Sequence, residues 1–162
     1  FAVRRGEVFA ILGGSGCGKS TLLKHMIGLT PPLAGEIRLL GDRVSGGAPD
    51  ERERALRRFG VTYQSGALFG SMTLLENVCL PLESFTDLPG EARCLLAEMK
   101  LELVGLKDYA SYFPAEISGG MKKRAAIARA MALDPAILFL DEPSAGLDPV
   151  TSAGLEIGRA HV

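Results

Sequence analysis

The sequence predicts an α/β fold, and three observations carry that expectation. An apolar strand pattern from Glu7 to Leu12 runs into a glycine-rich loop and then into an apolar-periodic helix from Lys19 to Ile27. Far along the chain, Ile137 to Leu140 is a continuous apolar run of the kind buried in a parallel sheet, and it ends in two carboxylates, Asp141 and Glu142. Between these segments the chain reads mostly as helix, which makes the order of elements α/β with a mainly helical insertion.

The remaining elements follow in order. Pro31, Pro32 and Gly35 stop the first helical pattern, Glu36 to Leu40 alternates like a strand, and Gly41-Asp42 turns it. A polar stretch with Gly46, Gly47 and Pro49 leads to a charged helix through Arg58, followed by a strand from Phe59 to Tyr63. Thr73 to Lys107 reads as helices broken around Pro89-Gly90, and Ser118 to Leu133 as a strong helix ended by Asp134-Pro135.

At 162 residues with 47% hydrophobic content, the chain is the size of one domain, or a large part of one, and can bury a core. A formal net charge of -1 provides no long-range field to gather nucleic acid or an anionic membrane. The basic runs Lys122-Lys123-Arg124 and Arg52 to Arg58 therefore read as solvated helix faces, and no nucleic-acid partner is expected. Cys17, Cys79 and Cys94 are odd in number and lack metal-ligand spacing, so free thiols in a reducing compartment are expected. The longest apolar runs, such as Ala136 to Leu140, are too short to cross a bilayer, and the first residues lack a secretory pattern, so the chain itself is expected to be soluble.

Both ends are expected to be unnatural. Phe1 to Glu7 begins without Met on the approach to a strand, and Glu156 to Val162 back-translates as GAG ATC GGA AGA GCA CAC GTC, which contains the start of a widely used short-read sequencing adapter. The native sequence is expected to stop near Leu155, with residues 156–162 as adapter read-through. A genuine helix tail is the alternative, though Gly158 interrupts it.

Gly13-Gly14-Ser15-Gly16-Cys17-Gly18-Lys19-Ser20 matches the phosphate-binding loop pattern and sits where that motif must sit, after a strand and opening a helix. Glycines let the backbone curl so that its N–H groups converge on phosphate oxygens, aided by the positive end of the helix. Lys19 is expected on the β- and γ-phosphates of a nucleotide and the Ser20 hydroxyl on Mg²⁺, with Thr21 counted among the nucleotide-binding residues. Cys17 reads as a small residue that fits the loop, and His25 as a packed or surface histidine.

Asp141 and Glu142 stand at the carboxyl end of a strand, where doubly wound sheets bind ligands. Asp141 suits the acid that holds Mg²⁺ through its water shell, and Glu142 the base that orients or deprotonates water. Alone, the pair could as well cap the turn at Pro143-Ser144; the upstream phosphate loop favours the catalytic reading. Ser118-Gly119-Gly120 is either a plain helix start, with Ser118 as N-cap, or a second anion site built on that helix end.

Taken together these motifs resemble the ABC ATPase family. Ile117-Ser118-Gly119-Gly120-Met121 is similar to its signature, Gln64 to its Q-loop, and Ser144-Ala145-Gly146-Leu147-Asp148 to its D-loop, with the resemblance covering about Glu7 to Leu155. The resemblance implies a P-loop NTPase fold, a RecA-like parallel sheet core with an ABC helical subdomain at about residues 70–125, in one nucleotide-binding domain over 1–155. It also implies a head-to-tail homodimer in which phosphate loop and signature clamp each ATP. Gln64 would sense the γ-phosphate, contribute to the metal site and couple to an integral-membrane permease, while Asp148 would link the two sites.

Finer matches, Gln64 to Phe69, Ser118 to Arg124 and Glu142 to Pro149, are similar to ATPases that work with MCE-domain proteins, such as the Mla phospholipid system. Met121 departs from the usual signature Gln but agrees with this subgroup, and by its own spacing it reads as a core-facing helix residue. Membership implies an ATP-hydrolysing transport subunit for phospholipid or another lipid, on the cytoplasmic face of the inner membrane, beside an MCE-domain protein. A soluble ABC-type ATPase of DNA repair or translation is the alternative, disfavoured by the compact spacing from phosphate loop to signature. The adenine-stacking aromatic and the switch histidine of the family have no match, and His161 is too close to Asp148 to substitute, so this length of chain is expected to be a poor ATPase.

Overall fold

A computed structural model of the chain describes residues 1–45, 49–64 and 66–142. Asp148 with its D-loop run, Gly46, Gly47 and residues 156–162 lie outside them.

The first helix, α1 (Lys19–Met26), starts from Gly18 in the left-handed region, φ 97°, a conformation that glycine adopts without a steric penalty. A two-residue hairpin follows, with β1 (Arg38–Leu39) antiparallel to β2 (Asp42–Arg43). Its turn residues Leu40 and Gly41 have φ of 52° and 92°, the pair of positive values that lets a tight turn match strand twist. After α2 (Pro49–Leu56), the strand β3 (Phe59–Thr62) pairs in parallel with β4 (Ile137–Leu140), in register from Phe59 with Ile137 to Thr62 with Leu140.

The intervening helices are α3 (Leu74–Phe85), α4 (Gly90–Leu103) and α5 (Gly119–Ala130), with short 3₁₀ turns at Lys107–Tyr109 and Pro114–Glu116. Thr73 and Glu76 close a capping box at the start of α3: the Glu76 amide donates to Thr73 Oγ1 at 3.2 Å, and the Thr73 amide to Glu76 Oε2 at 2.7 Å. At the start of α5 the Met121 amide donates to Ser118 Oγ at 3.3 Å, so Ser118 is an N-cap.

Two apolar clusters hold these layers together. Leu74, Val78, Leu82, Leu101, Leu106 and Ala128 bury one core among the helices, with Met121 packed against it. Leu39, Val44 and Ala55 form the other, under Phe59, Ile137 and Phe139 on the opposite face of the β3–β4 sheet. Alternation along β3 turns Phe59 to the hairpin side and Gly60 to α5. A Cβ on Gly60 would run into the Ala130 carbonyl and lie 2.9 Å from Leu138 Cδ2. Gly60→Ala should therefore lower stability by about 1–3 kcal/mol through overpacking, and an unchanged melting temperature would contradict this close approach.

Several expectations need correction. Glu7 to Leu12 makes no strand: among the described residues no chain segment pairs with it, and Val8 and Leu12 are 71% and 91% exposed. An apolar run becomes a strand only when a neighbour takes up its N–H and C=O groups. Nor is β4 fully buried, since Leu138 is 40% exposed, on a sheet that has only β3 beside it among the described residues. The remaining elements are shorter than their apolar patterns, because cap and ladder bonds set the ends.

Arg54 and Arg58 are exposed, as a solvated face requires, and the basic runs also make local contacts. Arg124 Nη1 donates to Val104 O at 3.0 Å, and Arg54 and Arg58 both pair with Asp42, at 3.6 and 3.5 Å. His25 Nδ1 donates to Thr30 O at 2.9 Å, a local tie after α1. The three thiols are free, with Cys79 pushed up to about 11 by burial and by the neighbouring Cys94. Among the described residues no helix is long and apolar enough to cross a membrane.

Candidate active site

The glycine-rich loop is held by its own lysine. Lys19 Nζ donates to Gly13 O at 2.8 Å and to Gly14 O at 2.9 Å, folding the loop back over the start of α1. Gly16 and Gly18 have φ of 79° and 97°, so two of its positions adopt the conformation that other residues resist. Gly13 packs against the Cys17 side chain, so Cys17 occupies space inside the loop. Ser15, Ser20 and Thr21 are exposed along this rim.

From that loop the structure reaches the far end of the sequence. Ser20 Oγ donates to Asp141 Oδ2 at 3.2 Å, across 121 positions of chain. The ladder between β3 and β4 is extended by one bond, from the Asp141 amide to Thr62 O at 3.1 Å, which puts Asp141 directly at the strand end. Its neighbour Glu142 sits in the left-handed region, φ 49°, an uncommon state for a residue with a side chain and one associated with functional sites. Gln64, just past β3, donates from Nε2 to Glu142 Oε2 at 2.8 Å. Lys123 of α5 reaches Glu142 O at 3.4 Å. A cavity of about 10 Å³ lies beside Thr62, Gly66, Asp141 and Glu142, at the lower size limit for one water.

Four predicted residues thus meet in two pairs, Ser20 with Asp141 and Gln64 with Glu142. Ser118, Gly119 and Gly120 are elsewhere, at the first turn of α5, and among the described residues no hydrogen bond joins them to residues 13–20. Two side chains that sequence reasoning missed complete the surroundings of Gln64. Asn77 is fully buried on α3 and bonds the backbone of Phe69, Met72 and Thr73, while Arg129 on α5 bonds that of Gly66 and Ala67. A sequence signal for Asn77 existed: it is the one amide side chain on the stripe of Leu74, Val78 and Leu82.

With a phosphate-loop lysine, a hydroxyl–carboxylate pair and a glutamine–glutamate pair set around one parallel strand end, the chain has the parts of a P-loop NTPase. The ABC transporter family model matches residues 1–145, and the chain belongs to that family. Among similar curated proteins, the probable ribonucleotide transport ATP-binding protein mkl of Mycobacterium leprae is 48% identical over 93% of this chain and 43% of its own length. The intermembrane phospholipid transport system ATP-binding protein MlaF of Escherichia coli is 43% identical over 92% of this chain and 55% of its own. The chain therefore spans about half the length of the curated relatives it matches.

Solved structures agree on the fold. The dimeric ATP-binding cassette MJ0796, in a post-hydrolysis state bound to ADP and Pi, aligns with a TM-score of 0.89 and 33% identity, over 98% of this chain and 70% of that one. The structure of cbiO1 from Clostridium perfringens, part of the ABC transporter complex cbiONQ, aligns with a TM-score of 0.83 and 29% identity, over 99% and 65%.

Proposed function

We propose that the chain is the nucleotide-binding part of an ATP-hydrolysing ABC transporter subunit whose cargo is phospholipid or another lipid. The observation that carries the ATPase reading is the pair of contacts at the end of β4, Ser20 with Asp141 and Gln64 with Glu142, which sets phosphate-loop and acidic residues around one point. In this reading residues 13–18 supply backbone N–H groups to the phosphates and Lys19 leaves its carbonyl partners for the β- and γ-oxygens. Glu142 accepts the proton of the attacking water as its oxygen bonds to the γ-phosphorus, and the bond to ADP breaks with the charge remaining on ADP and phosphate.

Mg²⁺ suits the residues present. A hydroxyl and a carboxylate within 3.2 Å are hard oxygen donors, and this ion keeps most of its remaining shell as water and phosphate rather than protein. Ser20 and Asp141 would hold it, with Gln64 as a further oxygen donor, and it would neutralise phosphate charge. The separation of Ser118–Gly120 from residues 13–20 is what a head-to-tail homodimer would use, each signature completing the other subunit's site. Asp148 is assigned the link between the two sites.

The lipid reading rests on MlaF, whose name states phospholipid transport, and on the motif matches at Gln64 to Phe69 and Ser118 to Arg124; mkl carries the name of a different cargo. An integral-membrane permease, an MCE-domain protein and a place on the cytoplasmic face of the inner membrane come with this reading.

The test is to recover the full gene with its neighbours and assay its product. Mg²⁺-dependent ATP hydrolysis, abolished by chelation, together with adjacent permease and MCE-domain genes, is the expected result. A gene beside repair or translation genes would remove the lipid claim, and no hydrolysis by the full-length product with its permease would remove the ATPase.

A further inference from the structure

The segment from β3 to α3 carries Gln64 and has little regular structure of its own. Among its described residues two internal backbone bonds appear: the Gly66 amide donates to Tyr63 O at 2.8 Å, and the Met72 amide to Phe69 O at 3.2 Å. Gly66 and Ala67 are both left-handed, with φ of 76° and 48°, and for Ala67 that conformation is strained. Strain of this kind persists only where surrounding groups over-determine it.

Two side chains from two different helices do so. Arg129 on α5 is partly buried, and its fork donates from Nη1 to Ala67 O at 2.8 Å and from Nη2 to Gly66 O at 3.1 Å, while its guanidinium lies 5.8 Å from the Phe69 ring centre. Asn77 on α3 accepts from the Phe69 amide at 2.8 Å, and its Nδ2 is within 3.1 Å of the carbonyls of Phe69, Met72 and Thr73, three acceptors for two protons. Asn77 is fully buried, so each of these bonds replaces water that cannot reach it. Gly66 lies against Lys122 and Ala126 of α5, and its left-handed φ of 76° is a conformation that favours glycine.

We infer that Asn77 and Arg129 are positioning residues for Gln64: they pin the loop between β3 and α3 to α3 and α5 and so fix the reach of the Gln64 amide to Glu142. This rests on the reading of Gln64 and Glu142 as hydrolytic residues. Neither pin touches Glu142 or the glycine-rich loop, and both act through backbone groups that the side chain of Gln64 does not share. Loss of a pin should lower turnover more than nucleotide affinity, because it displaces a residue needed for the chemical step while residues 13–20 are untouched.

The experiment is a double-mutant cycle in the full-length protein between Arg129→Met and Gln64→Ala, with Arg129→Lys as the conservative variant, read as kcat and KM for ATP. Arg129→Met is expected to lower kcat roughly tenfold or more with KM within about twofold, Arg129→Lys to recover part of the loss, and Arg129→Met to add nothing once Gln64 is Ala. An equal loss in both backgrounds, or no loss, would overturn the assignment. If Gln64→Ala alone leaves kcat unchanged, the hydrolytic reading of Gln64 falls, and the pins fall with it. Hydrogen exchange on the same variant separates loop from fold. Faster exchange confined to residues 66–73 is expected, and loss of protection through α3 and α5 would show that Arg129 holds the fold rather than the loop.

Discussion

Glu142→Gln in the full-length protein is expected to keep ATP binding and lose most of its turnover. The substitution preserves size and leaves an oxygen that can still accept from Gln64 Nε2, the 2.8 Å bond of the wild-type site. What disappears is the carboxylate that takes a proton from water, and general-base catalysis of this kind contributes about 10²–10⁴-fold to rate. Glu142 is exposed, so its replacement should leave the cores among the helices and beside the hairpin intact. Steady-state hydrolysis beside an equilibrium binding titration checks both halves. Unchanged hydrolysis would remove Glu142 from the chemistry, and lost binding with lost hydrolysis would place it in nucleotide affinity.

Lys19→Ala is expected to abolish nucleotide binding. Its ammonium group has two roles that a methyl cannot take: it ties the carbonyls of Gly13 and Gly14, which shapes the loop, and it supplies the positive charge that phosphates meet. Hydrogen bonds to charged groups are worth about 1.5–3 kcal/mol each, so losing more than one lowers affinity by well over a factor of ten. Titration with a fluorescent ATP analogue reads this directly. Binding at wild-type affinity would mean that the loop's backbone amides suffice and that Lys19 is a structural tie. Because among the described residues the Lys19 ammonium bonds within its own loop, to Gly13 O, Gly14 O and Cys17 Sγ, the fold should survive its removal.

Features of short sequence range are legible in the chain itself. The glycine loop and the helix it opens are contiguous, and so are Ser118 with the helix it caps and the pattern that makes α3 and α4 separate at Pro89-Gly90. The strands at Phe59–Thr62 and Ile137–Leu140 are recognisable as apolar runs, though the same reasoning over Glu7 to Leu12 finds a strand where the structure has none. Those three runs look alike by composition. Only two of them find each other, because pairing depends on a partner that composition does not identify.

Local sequence is enough to set the family, the phosphate-loop pattern and which residues carry chemistry-bearing groups, since each of these is written within a few consecutive positions. Which of those groups meet is decided by tertiary packing alone. Ser20 on α1 finds Asp141 across 121 positions, and Gln64 finds Glu142 across 78, the latter through the parallel register of β3 on β4. Packing also decides that Asn77, which in sequence is one polar residue on a helix, is fully buried against backbone carbonyls, and that Arg129 serves a loop 63 positions away. The cause is the same in each case. A hydrogen bond depends on distance and direction to a partner, and for residues far apart in the chain those are set by packing rather than by the local pattern.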